Sequence, residues 1–418
     1  MSMKLQNALG GTTLVSLFSS LIAVVCLLLN PPVVRSQRRG VENPRALANF
    51  SKALNDNKDA DRIEPVRIIH YGDSHTAADI LTAAIRNKLQ FDFGNGGAGY
   101  LIARNPMSTP RKGVTSGATS GWTLDGIGKG SGNDGLYGLA GLSLTTNKAN
   151  ERLWIETSCN SFDVYYLRFP GGGTIDIIVD GVSVLDAPLS LDSKLPAPDY
   201  FTYSMIAATN HRVEIRTLMP GRTRILGIVA ENIAPHPGVS YDVMGINGAR
   251  LDRIFNWDLN LFVDNLVQRN PNLIILGYGT NELTDNDWTI QSYAQKLTEI
   301  LQRFRRAVPR ASLLVLGPPD RTDTPVAIRK LPQLIEAQRR AAKAAGAAYW
   351  CAYDAMGGAG SMQTWLKSGL GQADRVHLTT QGYSKLAEMF YADLIKAYKN
   401  SAPSAARRLT VETRRKSH

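Results

Sequence analysis

The sequence predicts an α/β protein built on a five-stranded parallel sheet, with an all-β sandwich inserted into it. Three observations carry that expectation. Apolar runs of strand length alternate with amphipathic helical stretches over residues 61–102 and again over 238–400, the pattern of parallel strands joined by covering helices. Between them, 103–237 loses helical periodicity, gains glycine and carries short alternating runs between turn signals, as a sandwich does. The stretch Val66 to Ala77 (VRIIHYGDSHTA) passes from apolar strand to helix through the turn Gly72-Asp73-Ser74.

The ends read differently. After Lys4, Leu14 to Leu29 (LVSLFSSLIAVVCLLL) is uncharged, about the length of a long signal-peptide core and slightly short for a spanning helix. No small-x-small cleavage site follows, and Arg35, Arg38 and Arg39 flank the run. Residues 1–35 are therefore read as a signal peptide or a membrane anchor, and the protein as exported, periplasmic or extracellular. Residues 36–60 are polar and weakly helical, as expected of a linker. At the other end, 401–418 form a basic tail that supplies part of the net charge of +11.

The 418 residues leave room for two or three domains, and 44% hydrophobic with 20% charged is ordinary for a globular chain. The excess of basic residues lacks the interleaved aromatics of a nucleic-acid surface, so no nucleic-acid partner is expected. Cys159 and Cys351 could pair in an oxidising compartment, but read better as two separate buried thiols.

The elements follow in order. Val66, Ile68 and Ile69 open the first strand, and Ile80, Leu81, Ala84, Ile85 and Leu89 give the next helix its apolar face. The glycines of Asp92 to Tyr100 (DFGNGGAGY) mark a loop. Within the insert, Asp180-Gly181 between Ile177-Ile-Val179 and Val182-Ser-Val-Leu185 signals a hairpin. Beyond it, 239–243, 273–276, 313–316 and 348–352 read as the remaining parallel strands, and a last helix spans about 380–399 with Leu386, Met389, Phe390, Leu394 and Ile395 inward.

Loops that follow parallel strands converge on one sheet edge, the usual ligand site. A serine there, at a helix start, sits among outward-pointing N–H groups suited to a nucleophile whose attack creates an oxyanion. A hydrolytic serine needs a base and a carboxylate to orient it. Of the six histidines, His211 and His236 lie in or beside the insert, His418 ends the tail, His70 closes a strand as core, and the His75 ring is expected to point away from Ser74. His377 remains, and Asp374 stands three residues before it, within reach of its ring. Gly248 can offer a backbone N–H and Asn281 a side-chain amide.

Gly72-Asp73-Ser74, Gly248 in Gly245-Ile-Asn-Gly, Gly279-Thr-Asn281 and Asp374-Arg-Val-His377 occur in the order of the four blocks of SGNH (GDSL-like) hydrolases, which the chain resembles over about 61–102 and 238–400. The resemblance implies a flavodoxin-like three-layer fold. It implies Ser74 as nucleophile, His377 as base, Asp374 as its orienting carboxylate, and an oxyanion hole from the N–H groups of Ser74 and Gly248 and the amide of Asn281. It requires no metal and no cofactor. With Gly94 to Tyr100 (GNGGAGY) and the β insert, the chain further resembles bacterial peptidoglycan O-acetylesterases, in which the insert is similar to a carbohydrate-binding module. An acetylated glycan is the substrate this implies.

Three rivals stand beside that reading. Asp73-Ser-His75 also opens the two-metal phosphoesterase pattern, but the later loop Gly279-Thr-Asn-Glu282 lacks the histidine that chemistry needs. A polysaccharide O-acetyltransferase would use the same triad and differ only in its acceptor. A glycan-binding protein with an idle core would not need every proposed catalytic position filled.

Overall fold

Five parallel strands, Val66–Gly72, Val239–Gly245, Leu273–Gly277, Ser312–Gly317 and Ala348–Cys351, form one sheet in which the second strand by sequence lies at one edge and the first lies between it and the third. This 2-1-3-4-5 order is that of a doubly wound, flavodoxin-like sheet. The computed structural model describes residues 40–401 apart from 58, 60, 105–108, 127–133 and 285–287. The expected signal or anchor segment and most of the basic tail lie outside the described residues, and no described helix is long and apolar enough to cross a membrane.

The strands are apolar on both faces because each face has its own core. Successive side chains of a strand point opposite ways. Accordingly Val66 and Ile68 pack with the helices Leu81–Phe93 and Thr380–Ser401, while Ile69 and Tyr71 pack with those at Leu259–Arg269, Ile290–Ala307 and Pro325–Ala344. The result is three layers.

The expected linker is corrected for its described part. Pro44–Leu47 forms a short 3-10 helix, Ala48–Asp56 continues it, and Leu47, Phe50 and Leu54 are buried in the second core. Glu42 bridges to Tyr349 beside the last strand, and the Phe50 N–H donates to Ser312 Oγ at 3.1 Å. The spacing 47, 50, 54 is helical, so the signal was present; the polar residues between hid it.

The β region also departs from expectation in form. Its described strands, including Gly99–Leu101 from the preceding glycine loop, make one hydrogen-bonded antiparallel network of ten rather than two separate sheets. Two long strands, Arg152–Arg168 and Ala197–Met219, run through it, with a register shift between Ser204 and Thr209. The hairpin at Asp180-Gly181 forms as expected, with both residues at positive φ, 50° and 88°. Alternation again serves two cores: Val164 and Tyr166 face the region's own cluster, whereas Tyr165 and Leu167 join Tyr71, Trp257 and Phe262 of the α/β body. The described residues accordingly form one compact unit.

Where the two sheets meet, a buried ion network lies beside the apolar contacts. Glu231 of the antiparallel sheet is paired with Arg67 at 2.8 Å and Arg269 at 2.7 Å, and Arg269 also holds Asp242 at 2.7 Å. Burial pushes the Glu231 carboxyl up, but the two guanidiniums outweigh it and hold it down to about 2, against an ordinary 4.5. Removing one partner strands the others' charge in a dry site. Glu231→Gln is thus expected to cost about 3–5 kcal/mol in urea unfolding at neutral pH. The folded value lies below the unfolded one, so unfolding takes up a proton in acid. The contribution is complete above about pH 4.5 and is lost as pH falls toward 2.

Candidate active site

The first three strands end in register, with Gly72 beside both Gly245 and Gly277. A Cβ on Gly72 would stand 2.8 Å from the Gly277 carbonyl oxygen and closer still to Thr76, so only glycine allows the chain to turn here. Ser74, Gly248 and Asn281 follow these strand ends by two, three and four residues. That common edge is the switch point of the sheet, where the strand order reverses.

Ser74 opens the short helix Ser74–Ala77 behind the cap residue Asp73, whose carboxylate accepts from the His75 N–H at 3.0 Å. The Asp73 carbonyl takes up the N–H groups of Thr76 and Ala77. Among the first N–H groups of this turn, that of Ser74 is left for a ligand. Burial pushes the Asp73 carboxyl up to about 6 despite the His75 N–H that it accepts.

Ser74 Oγ lies 2.8 Å from His377 Nε2, across 303 residues of sequence, and His377 Nδ1 lies 2.6 Å from Asp374 Oδ2. The other Asp374 oxygen accepts the backbone N–H groups of Val376 and His377, each at 3.0 Å. Arg375 makes that tight return at a φ of 58°. Partial burial raises the Asp374 carboxyl, but the His377 ring and the two backbone donors outweigh it and hold it below the ordinary carboxylate range. Asp374 therefore remains an anion beside the imidazole, the state that orients a base.

Asn281 begins a 3-10 turn, and one of its amide hydrogens is held by the Ala249 carbonyl at 2.9 Å. The Gly248 loop and Asn281 are thus joined beside Ser74. Gly248 has a φ of +73° and open space where a side chain would project. The structure brings all five candidate residues to one edge.

Residues 218–385 match the GDSL-like Lipase/Acylhydrolase family. The chain carries a GDSL-like acylhydrolase domain. It is a carboxylic ester hydrolase, and the matched span holds Gly248, Asn281, Asp374 and His377, while Ser74 precedes it on the far side of the β region. The hydrolase shares its fold with the solved structure of a peptidoglycan O-acetylesterase, with a TM-score of 0.72 and 24% identity over 86% of this chain and 99% of the other. A family two carbohydrate esterase from Cellvibrio japonicus matches with a TM-score of 0.30 and 13% identity over 68% of this chain and 98% of the other. No curated protein matches by sequence.

The candidate site also contains His75, whose ring was expected to point away from Ser74. His75 is buried, bonds Tyr383 Oη through Nδ1 at 2.8 Å, and lays its ring 5.2 Å from that of His377. Burial, then the proximity of His377 and Arg321, pushes the His75 imidazole down to about 3, so it stands as a neutral ring beside His377. Its place directly after Ser74 was the available signal. His70 is core, as expected, bonded to Tyr241 Oη at 2.9 Å.

A second Asp–His pair lies in the β region, where His211 Nδ1 is 2.6 Å from Asp180 and Nε2 is 3.0 Å from Thr209 Oγ1. The same Nε2 also lies 3.2 Å from the Ala207 carbonyl oxygen.

Beside the helix Ser74–Ala77, a cleft of about 690 Å³ is lined by Ala77, Tyr100, Arg111, Ser116, Met244 and Gly245 among others. It draws on both the α/β body and the β region and is large enough for a sugar residue. Cys159 and Cys351 are buried and unpaired, in agreement with two separate thiols.

Proposed function

We propose that this hydrolase removes O-acetyl groups from a cell-envelope polysaccharide, peptidoglycan in the first instance, through an acetyl-serine intermediate. The observation that carries the reading is the continuous hydrogen-bonded line Ser74 Oγ, His377, Asp374, with the Gly248 and Asn281 loops beside it. Ser74 attacks the acetyl carbonyl while His377 Nε2 takes its proton. The oxyanion is met by the N–H groups of Ser74 and Gly248 and the second amide hydrogen of Asn281. His377 returns the proton to the departing sugar oxygen, then deprotonates the water that cleaves the acetyl-serine and frees acetate.

The peptidoglycan reading is supported by the fold shared with a peptidoglycan O-acetylesterase and by the apolar segment that reads as an export signal or anchor. In this reading the region 103–237 is a glycan-binding insert in a discontinuous hydrolase domain. The test is acetate release from O-acetylated peptidoglycan and from acetylated xylan. Faster release from peptidoglycan is expected; preference for xylan would refute the substrate, and release from neither would refute the activity.

Asn281→Ala removes one of three oxyanion donors. It is expected to lower kcat on p-nitrophenyl acetate by about 10²–10³-fold with little change in KM, since the donor acts mainly on charge that develops in the transition state. Steady-state kinetics check it.

A further inference from the structure

We propose that Glu282 is a positioning residue that clamps the Gly248 loop to the Asn281 loop and so sets the geometry of the oxyanion donors. The proposal rests on the reading that Gly248 and Asn281 are those donors.

The need for a clamp follows from Gly248 itself. With no side chain and nothing within 4 Å of where one would stand, the loop has no packing of its own at that point. Donors that are to stabilise an oxyanion must nevertheless be held to within about half an ångström. The flanking residues supply the restraint. Leu251, three residues on, donates its N–H to Glu282 Oε1 at 2.8 Å, and Ala249 takes the Asn281 amide at 2.9 Å.

The Asn281 side is fixed just as closely. Its predecessor Thr280 gives its carbonyl to Arg321 Nη1 at 2.6 Å, and Arg321 is itself forked onto Asp323 at 2.7 and 2.5 Å. Residues 280, 281 and 282 are thereby tied in turn to the loop after the fourth strand, to Ala249 and to Leu251. Among these ties only the Glu282 bond joins the two donor loops without using a donor's own side chain.

The Glu282 carboxyl is otherwise out of place. It is buried, no cation is bonded to it among the described residues, and its Oε2 has no hydrogen-bond partner. Asp73 and Asp252 face it with like charge. Such a group is costly to bury, and an apolar residue would fill the space without that penalty. What an apolar residue could not do is accept the Leu251 N–H.

The test is steady-state kinetics on p-nitrophenyl acetate with the full chain, comparing Glu282→Ala, Glu282→Asp and Glu282→Gln with Asn281→Ala and the Asn281→Ala, Glu282→Ala double variant. Alanine removes the acceptor and aspartate withdraws it by one methylene. Both are expected to lower kcat about 10–100-fold with KM within about twofold, the cost of donors misplaced by a fraction of an ångström to an ångström. Glutamine keeps an Oε1 acceptor and is expected to recover most of the loss. In the double variant the two losses are expected to overlap rather than multiply, because both act on one hole.

If Glu282→Asp and Glu282→Gln fall equally, or if the double variant shows fully multiplied losses, the clamp is refuted. If Asn281→Ala is costly and no Glu282 variant is, the donor assignment stands and the clamp falls. A silent Asn281→Ala instead refutes the donor assignment. The aspartate and glutamine variants keep a polar group of similar size, so the comparison holds even where alanine fails to fold.

Discussion

Ser74→Ala is expected to abolish turnover of acetate esters to within background, a loss of about 10⁴–10⁶-fold in kcat. The hydroxyl is the only atom removed, and its bond in the structure is to His377 Nε2 at 2.8 Å. Without it the acyl group has no serine to join, and what remains is binding and the oxyanion donors acting on water. Folding should be untouched, because the cap that forms the helix belongs to Asp73 and not to Ser74. The measurement is p-nitrophenyl acetate hydrolysis beside a thermal melt. Parent-level hydrolysis by a folded Ser74→Ala protein would end the assignment.

Asp374→Asn is expected to lower kcat by about 10⁴-fold with the melting temperature nearly unchanged. The two carboxylate oxygens do different work. Oδ1 accepts the backbone N–H groups of Val376 and His377, and the asparagine oxygen can do the same. Oδ2 faces His377 Nδ1 at 2.6 Å and holds a proton there. An amide NH₂ in that place donates instead, so the imidazole proton moves to Nε2, where it faces Ser74 and prevents that nitrogen from acting as base. A fall in melting temperature alone, with activity kept, would mean that Asp374 only shapes the loop.

Much of the site was readable because its parts are local. Asp374 and His377 are three residues apart, and the Asx-type return that joins them needs only the bonds between neighbours. Ser74 was found by a strand that stops at a glycine and a helix that starts behind an aspartate. His75 and Glu282 were missed for the opposite reason. The histidine after Ser74 and the glutamate after Asn281 are held by Tyr383 and Leu251, groups 308 and 31 residues away.

The sequence alone determined the alternation of strands and helices, the all-β character of the central region, the hairpin at Asp180-Gly181 and the identity of the five residues expected at the site. Those properties follow from periodicity, turn chemistry and caps, which act over a few residues. Tertiary structure alone decided that the Ser74 hydroxyl meets an imidazole 303 residues away. It also decided that the stretch around Phe50 is core rather than linker, that the central strands join in one network, and that an ion cluster around Glu231 ties the two sheets together. Each of these depends on which surfaces are buried against which, and burial is a property of the assembled chain that no short window of residues contains.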